Sequence, residues 1–157
     1  MAAGQAPQSL VGGDWNGDSK VDLIVANYSS STIGVYLGRG DGTFNAPVTY
    51  ATGQFPTWIA PADMNGDGIG DLAVTNYQSM TISFFAGSGK GAFANAVSIG
   101  LGAASTGLTA ADLSGDGKID LATANYLGNT ASVLLGNGNG TFAAPATYAV
   151  GTQAYMT

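Results

Sequence analysis

The stretch DMNGDGIGDL at residues 63–72 reads as an acidic loop that leads into a strand, and it occurs three times in the chain. Its counterparts are DWNGDSKVDL at 14–23 and DLSGDGKIDL at 112–121, so the step between copies is 49 residues both times. The tripeptides ANY, TNY and ANY, which begin at 26, 75 and 124, keep the same step, as do GRGDGTF, GSGKGAF and GNGNGTF, which begin at 38, 87 and 136. A fixed period of this length indicates a repeat architecture in which each unit is one supersecondary structure.

Each unit is predicted to contain four short strands. In the second unit these are residues 57–62, 71–77, 81–87 and 96–100, which alternate in polarity, are rich in β-branched and aromatic residues, and are separated by Gly, Asn and Ser. No window keeps a helical period for the ten or more residues that a helix needs. Four-stranded units at this period favour propeller blades over a β-solenoid, whose coils are usually shorter.

The predicted fold is therefore an all-β, partial β-propeller of three four-stranded antiparallel blades, forming a single segment over residues 1–157. The blades are expected at approximately 6–54, 55–103 and 104–152, and residues 153–157 are expected to begin the inner strand of a fourth blade. Because propellers have four to eight blades, three would leave two blade faces bare. The ring is expected to be completed by self-assembly, as a homodimer of six blades in preference to a trimer of nine, or by a longer parent chain.

The composition excludes several classes of function. The 157 residues include no Cys, His or Glu, only 9% are charged, and the formal net charge is −6, which argues against nucleic acid as a partner. Of the ten acidic residues, only Asp41 lies outside the repeated loops, where it has no partner for acid–base chemistry, so an enzyme is not expected. No apolar run approaches the length of a membrane span, and the start MAAGQAPQSL lacks the basic and apolar regions of a signal peptide.

The other nine Asp residues form three loops with the pattern D-x-[N/S]-G-D-x-x-x-D. Two carboxylates about 5 Å apart repel by roughly 3 kcal/mol at an effective dielectric near 20. A solvated acidic face would scatter its acids, whereas here they recur at fixed offsets in a chain with few other charges. A bound cation is the simplest explanation, and Asx-type turns without metal are the alternative.

The ligand spacing favours Ca²⁺. Oxygen atoms at positions 1, 3, 5 and 9 and a backbone carbonyl at position 7 can surround such an ion, whereas Zn²⁺ and copper would prefer His or Cys. The predicted ligands are Asp14, Asn16, Asp18, the Lys20 carbonyl and Asp22; Asp63, Asn65, Asp67, the Ile69 carbonyl and Asp71; and Asp112, Ser114, Asp116, the Lys118 carbonyl and Asp120. An EF-hand is rejected because it needs a Glu at position 12, where this chain has Val25, Val74 and Thr123.

The three loops are not equivalent. Position 6, where the backbone bends sharply, is Gly68 in the second loop but Ser19 in the first, which is expected to be strained by about 1 kcal/mol. The third loop has Ser114 where the other two have Asn. The second loop is therefore expected to be the strongest of the three sites.

The segment GRGDGTF contains the adhesive tripeptide Arg39-Gly40-Asp41. Between the three copies the glycines are kept and the residues between them change, Arg39 to Ser88 and Asn137, and Asp41 to Lys90 and Asn139. This pattern predicts a tight hairpin that needs Gly where φ is positive. An exposed adhesion ligand is the minor alternative.

The combination of the Asp-x-Asn-Gly-Asp loop, an alternating strand, ANY and G-x-G-x-G-T-F resembles the FG-GAP/VCBS repeat. This repeat builds the propeller head of integrin α-subunits and many microbial extracellular propellers, and fungal lectins with integrin-like propellers are similar. The resemblance covers almost the whole chain and implies a β-propeller, structural Ca²⁺ at residues 14–22, 63–71 and 112–120, and an extracellular location. On this template Leu23, Leu72 and Leu121 are expected to pack between blades, and so are Phe44, Phe93 and Phe142, although aromatic residues can also line a sugar groove.

The leading functional hypothesis is a non-catalytic, calcium-stabilised propeller module for binding or assembly. The alternative is a lectin whose sugar sites lie between blades, and the candidate aromatic residues for it are Trp15, Trp58, Tyr28, Tyr77 and Tyr126. The three Tyr residues occupy one place in every unit, which suits repeated packing better than repeated sugar sites. A glycan or a protein is the expected type of ligand.

Overall fold

The computed structural model describes residues 4–151, which form three sheets of four antiparallel strands each and contain no helix. The first sheet consists of β1 (Pro7–Gly13), β2 (Asp22–Asn27), β3 (Thr32–Tyr36) and β4 (Val48–Ala51). The second consists of β5 (Pro56–Ala62), β6 (Asp71–Asn76), β7 (Thr81–Phe85) and β8 (Val97–Gly100). The third consists of β9 (Ser105–Ala111), β10 (Asp120–Asn125), β11 (Thr130–Leu134) and β12 (Ala146–Ala149).

Every sheet is a meander in which each strand pairs with the next one along the chain. The predicted all-β fold of three four-stranded antiparallel blades is confirmed, and each sheet lies within the residue range expected for its blade. The expected fourth inner strand at 153–157 lies outside the described residues. No helix among residues 4–151 is long and apolar enough to cross a membrane.

The second strand of each blade is the most buried because it has a partner on both sides and a neighbouring sheet over its faces. All six residues of β6 are buried, whereas β4 and β12 at the outer edges are mostly or fully exposed. Adjacent blades meet through their inner strands, since β1 contacts β5 and β5 contacts β9. This arrangement places the strand before each acidic loop at the inner side of the blade, as expected for a propeller.

Two hydrophobic clusters fill the joints between blades. The first joins β2 and β3 of blade one to the residues Ile59, Leu72, Val74, Phe85 and Phe93 of blade two. The second joins blade two to Leu108, Leu121, Leu134 and, partly buried, Phe142 of blade three. The core of this molecule therefore lies between sheets and not within any one of them.

The predicted packing of the repeated Leu and Phe residues is observed where a preceding blade exists. Leu72 and Leu121 are fully buried and Phe93 is 8% exposed, while Phe142 packs against the second cluster. Leu23 and Phe44 are only half-buried because blade one has no blade before it in the described chain.

Candidate metal loops and inter-blade groove

The carboxylate at position 1 organises each acidic loop by accepting backbone N–H groups. In the second loop, Asp63 accepts from Gly66 at 2.7 Å and from Gly68 at 2.8 Å. Asp14 and Asp112 accept from the equivalent pairs of residues in their own loops. The pKa of the Asp14 carboxyl lies below its usual value, chiefly because the Ser19 N–H donates to it. The loops thus wind around an anionic side chain that the backbone stabilises.

The side chains at positions 3 and 5 extend this pattern. Asn65 Oδ1 accepts from the Asp67 N–H at 2.9 Å, and Asp67 Oδ1 accepts from the Ile69 N–H at 2.8 Å. The predicted sharp bend at position 6 is confirmed, since φ is 62° at Ser19, 80° at Gly68 and 82° at Gly117. The strain expected at Ser19, the one non-glycine residue of the three, stays a prediction. Strands, not helices, flank the loops, so the rejection of an EF-hand is also confirmed.

The position 9 carboxylates, expected only as metal ligands, have a structural role that the sequence did not reveal. Asp71 is fully buried; its Oδ2 accepts from the Met64 N–H at 3.0 Å and its Oδ1 accepts from the Gly87 N–H at 2.9 Å. Asp22 and Asp120 make the same two bonds to the equivalent residues. Each of these carboxylates fastens the acidic loop to the Gly-rich hairpin of its own blade. The available signal was the Gly that recurs 16 residues after each of them.

Burial raises the pKa of the Asp71 carboxyl, and the charges of Asp67 and Asp63 raise this pKa further. Both effects disfavour the ionised form, and a nearby cation would offset both of them. The carboxylates of Asp63 and Asp67 therefore act electrostatically on that of Asp71.

The loops differ in how their charge is balanced. Lys20 contacts Asp18 and Lys118 contacts Asp116, each with an N–O distance of 3.2 Å. The second loop has Ile69 at the place of these lysines. Within residues 4–151, the second loop is therefore the one without a lysine of its own to balance its acids.

The donor chemistry of the loops fits Ca²⁺, since it consists of carboxylate, amide, hydroxyl and carbonyl oxygens. In the described part of the chain, however, no three acidic side chains are placed closely enough to hold a metal ion together. Their oxygen atoms are directed at loop N–H groups instead. The residues are thus of the right kind and in the right order, and their arrangement is that of Asx-type turns.

The Arg39-Gly40-Asp41 segment forms the predicted hairpin between β3 and β4. Gly40 and Gly42 have φ of 81° and 84°, and the Arg39 N–H donates to the Thr43 carbonyl at 2.9 Å. The Asp41 carboxylate accepts from the backbone and hydroxyl of Thr43, while Arg39 Nε donates to Asn45 at 2.9 Å. Both charged side chains are engaged within the hairpin.

The candidate aromatic residues are dispersed. Trp15 lies in the first joint, where its ring centroid is 6.0 Å from that of Phe93, and it borders a cavity of about 210 Å³ beside the first two acidic loops. Trp58 is 40% exposed on β5. Tyr28 stacks on Phe55 with centroids 4.6 Å apart, which agrees with the packing interpretation. Tyr77 and Tyr126 occupy the same half-buried position as Tyr28 in their blades.

A groove of about 420 Å³ lies between blades one and two, and its lining was not predicted from the sequence. It is lined by Tyr50, Ala51, Thr52, Gly53, Ser83, Phe85, Asn95, Ala96 and Ser98. Tyr50 and Asn95 correspond to Ile99 and Ala144 in the third blade's joint, so the two joints differ in polarity. Aligning the three copies would have drawn attention to Asn95, whose equivalents are Ala46 and Ala144, whereas Tyr50 recurs as Tyr148.

Comparison with known proteins agrees with the repeat and the fold. A solved structure of the Tc holotoxin pore of Photorhabdus luminescens is similar over 92% of this chain, with 19% identity and a TM-score of 0.50. This chain spans 7% of the length of that chain, and at such an identity the likeness concerns the fold alone. No match is found among curated proteins. The family described as FG-GAP-like repeat matches residues 14–74 and again 63–123, and the chain belongs to this family.

Proposed function

We propose that this chain is a non-catalytic β-propeller module for binding or assembly, and that Ca²⁺ bound at its acidic loops stabilises it. The observation that supports calcium most is the second loop, where the Asp71 carboxylate is fully buried and the acids have no lysine of their own loop to balance them. Burial, and then the charges of Asp67 and Asp63, raise the pKa of Asp71. An ion there would be held by Asp63, Asn65, Asp67, Asp71 and the Ile69 carbonyl. Bound Ca²⁺ would supply positive charge to a loop that lacks it.

The module is proposed to work outside the cell, as the family resemblance implies. Millimolar Ca²⁺ is then the relevant concentration, and dissociation constants of about 10⁻⁴–10⁻³ M are typical of extracellular modules. The side chains of the protein would bind a ligand without catalysing a reaction on it. They would position surfaces between and along the blades.

Thermal unfolding with and without EDTA tests the calcium proposal. A ligand at 100 times its dissociation constant stabilises by about 2.7 kcal/mol per site, and each kcal/mol shifts the Tm of a domain of this size by about 2–4 °C. Calcium should therefore raise Tm by several degrees over the EDTA sample. Magnesium at equal ionic strength is the control for charge screening, and an unchanged curve after verified metal removal would contradict the proposal.

A second candidate function is carbohydrate binding in the groove between blades one and two. The groove combines the rings of Tyr50 and Phe85 with the amide of Asn95 and the hydroxyls of Ser83 and Ser98, which is the mixture of apolar face and polar edge that sugars need.

We expect Asn95→Ala to reduce the signal on a glycan array if this second function holds. Gln78→Ala, which removes an exposed amide outside the groove, is the matched control. If the parent and Asn95→Ala bind glycans equally, the groove is not the sugar site. If the parent binds no glycan, carbohydrate binding is not a function of this chain.

A further inference from the structure

Within residues 4–151, blades one and three each expose a face whose equivalents are covered at the joints between blades. On blade one we define the leading face as Leu10, Val21, Leu23 and Phe44. On blade three we define the trailing face as Leu113, Leu135 and Tyr148. Leu10 and Val21 are 58% and 63% exposed, and the three trailing-face residues are 49%, 48% and 56% exposed.

The repeat shows what covers these positions elsewhere in the chain. Three of the four leading-face positions of blade two hold Ile59, Leu72 and Phe93, which are 2%, 0% and 8% exposed because they pack on blade one. The fourth, equivalent to Val21, is Gly70, where a Cβ would lie 2.9 Å from the ring of Trp15 in blade one. The equivalents in blade three, which include Leu108 and Leu121, pack on blade two in the same way.

The trailing-face positions behave likewise. In blade one they are Trp15, Leu37 and Tyr50, and all three pack against the first cluster. In blade two they are Met64, Ala86 and Ile99, which pack against the second cluster. The chain thus brings a trailing face against a leading face at both of its internal joints.

The backbone repeats the same contact. The Gly91 N–H donates to the Trp15 carbonyl at 2.7 Å, and the Gly140 N–H donates to the Met64 carbonyl at 3.1 Å. The third member of this series would join the Gly42 N–H to the Leu113 carbonyl. Among residues 4–151 neither of these two groups has a hydrogen-bond partner.

We propose that the trailing face of one copy of this chain docks on the leading face of a second copy, through the contact that the chain already makes twice internally. The occupant of each bare face is thereby a blade of the same chain, and the interface continues the series of joints with Leu113 and Leu135 over Gly42 and Phe44. Such a head-to-tail contact uses two different surfaces, so it can be repeated at both ends and can close into a ring. This inference names the partner for the assembly part of the proposed function and rests on it.

The first experiment measures mass in solution by analytical ultracentrifugation at micromolar concentration with calcium. The parent should sediment at twice its 15.6 kDa chain mass. Leu135→Arg and Leu10→Arg, one on each face, should each weaken association roughly tenfold or more, since apolar anchors dominate such interfaces. Val21→Arg is a second leading-face variant in case Leu10→Arg fails to fold.

The matched control is Val97→Arg. Val97 and its equivalent Val48 are 59% and 54% exposed although both of their blades have a following neighbour, so this position is outside the joints. The control should associate like the parent. A monomeric parent, or a leading-face variant that associates normally, would overturn the proposal.

The second experiment tests whether the contact is head-to-tail. Because the chain has no Cys, introduced cysteines are its only thiols. A Cβ on Gly91 would lie 2.6 Å from Leu37 Cδ2 across the internal joint, so Gly42→Cys and Leu135→Cys should meet across the proposed one. Under mild oxidation a mixture of these two variants should form disulfide-linked dimers at least tenfold faster than either variant alone. Faster linkage within a single variant would indicate a like-to-like contact and would overturn the proposal.

The association measurements and the thermal unfolding test are each carried out with calcium and with EDTA, so that the calcium proposal and the docking proposal can fail separately. If EDTA leaves the Tm unchanged and Leu135→Arg still abolishes association, only the calcium proposal is contradicted. If calcium raises the Tm and the parent is monomeric, only the docking proposal is contradicted.

Discussion

At the scale of single residues, the same kind of side chain has different roles at different places in one loop. The position 1 and position 5 acids are exposed or, at Asp63, half-buried and accept loop N–H groups, whereas the position 9 acid is buried and fastens the loop to the hairpin. Charge balance also differs between loops, because Asp116 has Lys118 beside it at 3.2 Å and the equivalent Asp67 has Ile69 at that position. These differences separate the effects of substitutions that look alike in sequence.

We predict that Asp67→Asn reduces the calcium-induced rise in Tm more than Asp116→Asn does. Asparagine keeps the Oδ1 acceptor for the N–H two residues later, so both variants keep the turn and lose one negative charge. The second loop relies on that charge more because it has no lysine of its own. Thermal unfolding at matched calcium concentrations is the measurement, and equal losses would contradict the ranking of the loops.

At the scale of the element, the glycines of the hairpin between the third and fourth strands serve two purposes. Gly89 and Gly91 have positive φ, as the sequence predicted. The first glycine is needed for another reason, since a Cβ on Gly87 would overlap with the carbonyl oxygen of Gly70. That close approach also lets the Gly87 N–H reach Asp71.

Gly87→Ala should therefore destabilise the protein more than Gly102→Ala. The first forces backbone atoms apart in a packed hairpin, which typically costs about 1–3 kcal/mol, and it weakens the bond to Asp71 as well. Gly102 has φ of 73° with open space around its missing Cβ, so only the left-handed backbone is penalised, by about 1–2 kcal/mol. Urea unfolding of both variants measures the difference, and a larger loss for Gly102→Ala would show that the close approach is relieved by a small shift.

The strands and turns could be predicted from the sequence because their signals are local. The apolar and β-branched residues between Asp71 and Asn76, and the glycines at the positive-φ positions of the hairpins such as Gly89 and Gly91, depend only on neighbouring residues. The fastening role of Asp71 and the groove residue Asn95 could not be predicted in this way, because each depends on segments that meet only after folding. The repeat helps with such contacts only when copies are compared position by position, as Tyr50 against Ile99 illustrates.

At the scale of the whole molecule, charge and association are linked. The formal net charge of −6 equals in size the charge that three Ca²⁺ ions would bring. Chains without calcium should repel one another, and loaded chains should not.

We expect calcium removal to weaken self-association of the parent, measured by light scattering at several protein concentrations in calcium and in EDTA. High salt in EDTA is the control, because screening alone should then restore part of the association. Equal association in all three conditions would contradict a link between the loops and assembly.

Each sheet is built from four consecutive strands, so no blade borrows a strand from another. A tandem gene duplication would therefore lengthen the chain by whole blades without altering any hydrogen-bonding partner within a sheet. Joining two copies in one polypeptide would also turn the contact between copies into an intramolecular one, with an effective concentration set by the linker. Blade number in such a lineage is then limited by the curvature at which the ring closes, and not by the topology of the chain.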